Sequence, residues 1–88
     1  MSTPRILVAD DDQALCRTLS WILRDNRSEV VTLPGGEGLI EHLLADQYDL
    51  LLLDIMMPKV DGLQLLERVK TDYRFKDLPV LMISSMPP

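Results

Sequence analysis

The chain has 88 residues, nine of them basic and fourteen acidic, which gives a net charge of −5 and a pI near 4.6. That length admits one domain with one thin core, because folding so short a chain removes only about 60–65% of its unfolded surface from water. The acidic balance argues against a nucleic-acid surface and against attachment to an anionic membrane, both of which need a basic patch.

A composition that is 47% hydrophobic and 26% charged is that of a globular chain. No apolar run approaches the roughly 18 residues of a spanning helix, and Met1-Ser2-Thr3-Pro4-Arg5 begins no signal-peptide pattern. A lone cysteine, Cys16, permits neither an internal disulfide nor a thiolate cluster, and a lone histidine, His42, rules out a site that needs two imidazoles. A soluble cytoplasmic protein is expected.

Two periodicities alternate along the chain. Ile6-Leu7-Val8-Ala9 is a short continuous apolar run, the pattern of a strand covered on both faces. After Asp10-Asp11-Asp12, the residues Leu15, Cys16, Leu19, Ile22 and Leu23 share one helical face, with Asp12 placed to cap the helix. Asp25-Asn26-Arg27-Ser28 ends that helix, Glu29 to Leu33 reads as a second strand, and Pro34-Gly35-Gly36 turns the chain. Leu39, Ile40, Leu43 and Leu44 mark a second short helix. The third strand, Asp49 to Asp54, sets four leucines between two aspartates.

Ile55 to Gly62 reads as a loop, because Pro58 and Gly62 both resist regular structure. Leu65, Leu66 and Val69 stripe a third helix that runs to about Thr71, Tyr73 to Leu78 is a connector, and Pro79 to Ser84 is a fourth strand. Short apolar strands separated by single helices imply parallel pairing through right-handed crossovers. The result is an open α/β sheet covered on both faces, whose reactive groups collect at the carboxyl ends of its strands.

That edge is where the acidic residues fall. Asp10 and Asp11 close the first strand, Asp54 closes the third and Ser84 the fourth. An aspartate at a strand-to-helix junction is commonly a cap, but one helix needs only one, and Asp12 supplies it. Carboxylates gathered at one edge repel one another, and a hard divalent cation relieves the repulsion. Oxygen ligands without His or Cys point to Mg²⁺, or Mn²⁺, rather than zinc. A metal beside a strand-end carboxylate also suits phosphoryl transfer, with an aspartate oxygen attacking in line and the Ser84 hydroxyl donating to a phosphoryl oxygen.

In these residues the chain resembles the receiver domain of bacterial two-component response regulators. The matching pieces are Ile6 to Asp12, Asp49 to Pro58, Asp61-Gly62, and Leu78 to Ser84, in the family's order and spacing. The Asp-x-Met-Met-Pro-x-x-Asp-Gly segment from Asp54 to Gly62 is the most specific of them. The resemblance covers essentially residues 1–88 and implies a flavodoxin-like doubly wound sheet of strand order 2-1-3-4. It further implies Asp54 as phosphoacceptor, Asp11 as the main Mg²⁺ carboxylate and Asp10 as its neighbour acting mostly through water. Met56 matches the residue that offers its backbone carbonyl to the metal, Ser84 the hydroxyl that senses the phosphoryl group, and Ser85 the small residue after it.

The implied donor is a phosphohistidine on a sensor histidine kinase or a phosphotransfer protein, or a small acyl phosphate. Such a module phosphorylates itself and slowly hydrolyses the product to switch a partner or output domain, without being a turnover enzyme.

Family members are longer, adding a fifth strand with a phosphoryl-pairing lysine and an aromatic switch residue, and two further helices. Lys59, Lys70 and Lys76 lie in the wrong places to substitute for that lysine, so residues 1–88 are expected to be a receiver domain incomplete at its C-terminus. The Val80-Leu81-Met82-Ile83 strand is then an exposed edge, for which self-association between copies is expected. The alternative is a degenerate receiver that serves as a phosphorylation-independent interaction module.

A Mg²⁺-dependent aspartyl phosphatase would need a second Asp two residues after Asp54, where Met56 stands. A flavin protein would need a phosphate loop where three aspartates stand. His42 reads as part of a solvated helix face and Cys16 as a buried, inert thiol. Trp21 lies off its helix's apolar stripe, either as a partner surface or partly covered by a loop.

Overall fold

The structure, a computed structural model, describes residues 3–57 and 60–83. Four strands, β1 (Arg5–Ala9), β2 (Glu29–Leu33), β3 (Leu50–Asp54) and β4 (Val80–Ile83), form one parallel sheet in the order 2-1-3-4. Three helices connect them, α1 (Gln13–Asp25), α2 (Leu39–Ala45) and α3 (Gly62–Thr71), and a 3₁₀ turn over Tyr73–Phe75 follows α3.

Alternation along the strands divides the core in two, as the continuous apolar runs require. Leu7, Ala9, Leu51 and Leu53 face α2 and α3, where Leu39, Leu43, Leu65, Val69 and Phe75 cover them. Ile6, Val8, Val30 and Leu52 face the other way, onto Cys16 of α1 with Leu19 and Leu23 at its margin. The sheet is therefore doubly wound. The chain leaves β1 for one face and β3 for the other, so a switch point opens between these two adjacent strands at their carboxyl ends.

The helix ends follow from local chemistry. Asp12 caps α1 by accepting from the Leu15 N–H at 3.1 Å, as the sequence predicts. The other end closes with the Ser28 N–H on the Leu23 carbonyl and the Arg27 N–H on the Arg24 carbonyl, which places Arg27 at φ 64°. Asp61 caps α3 through the Leu63 and Gln64 amides.

Two expected apolar faces are narrower than predicted. Ile22 and Leu44 are 45% and 50% exposed, because each helix buries only the side turned toward the sheet. His42 is half-buried, with Nδ1 3.1 Å from the Gly38 carbonyl oxygen, rather than on an open face. At the amino edge of the sheet, Arg5 ties three elements together through Glu29 of β2, Asp46 after α2, and the Asp49 carboxylate bonded to its own amide.

Candidate functional site

The strand register builds the site. Ala9 of β1 pairs with Leu53 of β3, so the next residues, Asp10 and Asp54, stand level on neighbouring strands at the switch point. Both are almost completely buried. Each carboxylate is held by the amide two residues ahead, Asp10 Oδ1 by the Asp12 N–H at 2.9 Å and Asp54 Oδ1 by the Met56 N–H at 2.9 Å. In both, Oδ2 is buried with no hydrogen-bond partner among the described residues. Asp11 stands exposed at the rim, and one oxygen from each of the three carboxylates lies within 4.8 Å of the others.

Burial raises the Asp10 carboxyl above its ordinary range. The Asp12 amide partly offsets this, and the nearby charge of Asp54 adds to it. Two buried acceptors without donors, facing each other in an all-oxygen cluster, fit a hard divalent cation such as Mg²⁺.

The backbone around Asp10 is fixed from both sides. Its N–H donates to the Leu33 carbonyl at 3.2 Å, and its carbonyl accepts from the buried Cys16 thiol at 3.3 Å. Burial pushes that thiol above its usual range, with the surrounding aspartates adding to the effect, which keeps it protonated as a donor. The sequence predicts Cys16 to be buried but gives no sign of this bond.

The segment after Asp54 is more ordered than the loop expected there. Met56–Met57 pairs with Val60–Asp61 in a two-residue antiparallel ladder. Gly62 closes it, since a Cβ at that position would lie 2.4 Å from Ile55 Cα and 2.7 Å from its carbonyl oxygen. The glycine is there for this close approach; the Asp-Gly pair hinted at it, yet by sequence reads equally well as an ordinary turn.

The structure brings Asp10, Asp11, Asp54 and the Met56 amide together. Ser84 and Ser85 lie outside the described residues, as do Pro58 and Lys59. Ile83, which precedes Ser84, is the register partner of Asp54, and its carbonyl accepts from the Ile55 N–H at 3.1 Å. α3 runs back toward the amino edge of the sheet and carries Lys70 away from the pocket, and Lys76 follows the 3₁₀ turn beyond it.

A doubly wound parallel sheet with an acidic switch point is the architecture of a signalling receiver. The model for the response regulator receiver domain matches residues 6–87, and the chain belongs to that family, a module of two-component signal transduction. It is 39% identical over 85 residues to the transcriptional regulator RpaA of Synechocystis, covering 94% of this chain and 34% of that protein.

The crystal structure of the N-terminal domain of a response regulator receiver protein from Methanoculleus marisnigri superposes with a TM-score of 0.88 at 40% identity, over 99% of this chain and 71% of that one. The Thermotoga maritima response regulator TrrA, solved in complex with Mg²⁺-BeF, gives a TM-score of 0.86 at 28% identity, over 96% and 71% respectively. The chain spans less than two thirds of the length of the curated relatives it matches. Receiver domains bind Mg²⁺ at an acidic pocket and interact with histidine kinases or phosphotransfer proteins. Among the described residues, no helix is long and apolar enough to cross a membrane.

Proposed function

We propose that residues 1–88 act as a phosphoacceptor receiver module, with Asp54 taking a phosphoryl group from a sensor histidine kinase or phosphotransfer protein in the cytoplasm. The observation that carries this is the pair of level, buried carboxylates, each pinned through Oδ1 and each with an Oδ2 that has no partner among the described residues. Asp10 and Asp11 would hold Mg²⁺ together with Asp54 and the Met56 carbonyl. When bound, the cation neutralises charge on the transferring phosphoryl oxygens.

The Met56 amide on Oδ1 orients the Asp54 carboxylate so that Oδ2 is the free nucleophile. Oδ2 attacks phosphorus in line, the P–N bond of the phosphohistidine breaks, and the departing imidazole nitrogen takes up a proton. Water later attacks the aspartyl phosphate, releasing inorganic phosphate and restoring the carboxylate. Ser84 supplies a hydroxyl to the phosphoryl group, and the modified state alters a surface read by a partner or output domain. The chain's own chemistry is stoichiometric, so it is a signalling module rather than a turnover enzyme. The exposed apolar edge of β4 is in addition a surface through which copies associate.

Borohydride reduction tests the acceptor directly, because it converts an aspartyl phosphate to homoserine. After treatment with phosphoramidate and Mg²⁺, peptide mapping should find homoserine at position 54 alone. Homoserine at another aspartate, or at none, would overturn the assignment. Homoserine at none would leave phosphorylation-independent binding of a partner as the remaining reading.

A further inference from the structure

An open groove of about 690 Å³ runs between α1 and the outer edge of β2. Arg17, Trp21 and Arg24, spaced i, i+4 and i+7 on one face of α1, line it together with Cys16, Thr32 and Leu33. Trp21, the chain's single tryptophan, is 76% exposed. An indole left in water beside arginines is the composition of a binding hot spot.

The strand edge supplies the second half of the surface. The Glu29 N–H bonds to the Pro4 carbonyl, and the Leu33 carbonyl accepts from Asp10, so alternate residues of β2 face β1. Val30 and Thr32 therefore turn their backbone groups outward, where the sheet order places no further strand among the described residues. Arg24 closes off part of that edge by donating from Nη2 to the Val30 carbonyl at 3.2 Å. Thr32, toward the acidic pocket, is the position open to pairing. Charge singles the groove out as well, with two guanidiniums against the one carboxylate of Asp25 on a chain of net charge −5.

We propose that this groove docks an extended, acidic segment of a partner protein. The segment pairs main-chain groups with Thr32, sets a carboxylate against Arg17 and lays an apolar side chain on the Trp21 indole. A nucleic acid is disfavoured by the net charge, and an apolar helix would have to bury Arg17 unpaired. The groove adjoins the acidic pocket through shared residues, since Cys16 and Leu33 are the two that hold the backbone of Asp10. The proposal stands apart from the phosphoacceptor reading.

Trp21 is its own reporter. Titrating the full chain with a capped Leu-Glu-Val-Glu-Leu peptide should give a saturable change in tryptophan fluorescence, and the Leu-Lys-Val-Lys-Leu counterpart should give none. Arg17→Glu, at an exposed position, should weaken the acidic peptide about tenfold or more, the equivalent of one lost charge pair, with the urea midpoint unchanged. No saturable signal, an equal response to both peptides, or undiminished binding in Arg17→Glu would each overturn the proposal.

Discussion

Burial and the neighbouring Asp54 both raise the Asp10 carboxyl, and its Oδ2 has no donor among the described residues. In the metal-free protein this charge opposes folding. Replacing Asp10 with Asn puts a donor where two acceptors face each other, so the metal-free chain should gain roughly 1–3 kcal/mol. The same change should remove most of the stabilisation that Mg²⁺ gives, and urea unfolding with and without Mg²⁺ reads both effects. Asp72 has the opposite sign. Hydrogen bonds from the Arg74 guanidinium and amide lower its carboxyl to about 2, below the ordinary 3.8. Its contribution is complete above the ordinary value and is lost as the pH falls through about 2. Asp72→Asn should therefore flatten the fall in stability across that window, and an unchanged acid profile would count against the pairing.

Among the elements, the segment joining β3 to α3 decides how firmly Asp54 is presented. The short ladder and the bare Cα of Gly62 pack it against Ile55, next to Asp54. Gly62→Ala forces backbone apart on backbone and should cost roughly 1–3 kcal/mol or more, together with a lower yield of aspartyl phosphate at equal folded protein. Retention of both would show that the close approach is dispensable.

The elements themselves were largely legible. Unbroken Ile6–Ala9 and Leu50–Leu53 runs permit only strands covered on two faces, and the change of period after Asp12 marks α1 with its cap. Their parallel pairing places Asp10 and Asp11 at the same edge as Asp54, and the structure gathers the three there. What the residues did not disclose depends on which side of an element finds cover, or on one atom's approach to another. Ile22 and Leu44 fit their helical stripes yet face water, the Cys16 thiol finds a carbonyl, and Gly62 answers to Ile55 across a ladder too short for periodicity to detect.

For the whole molecule, the sheet has two unlike edges. At β2, Arg24 covers the Val30 carbonyl and Trp21 stands over the groove beside it. At β4, paired with β3 alone among the described residues, Leu81 and Met82 are 58% and 52% exposed. Apolar side chains along an unpaired edge favour strand addition, so light scattering should show self-association of the chain that grows with concentration. Leu81→Lys should diminish it, and a monomer at all concentrations would contradict it.

On the proposed function, the acidic switch point between β1 and β3 binds a divalent cation and thereby makes Asp54 a phosphoacceptor. Incubation with acetyl phosphate, with and without Mg²⁺, followed by intact mass measurement, tests it most directly. The expected result is a gain of one phosphoryl group that requires Mg²⁺ and is absent in Asp54→Asn. A gain that persists in Asp54→Asn, or no gain with Mg²⁺ present, would contradict it.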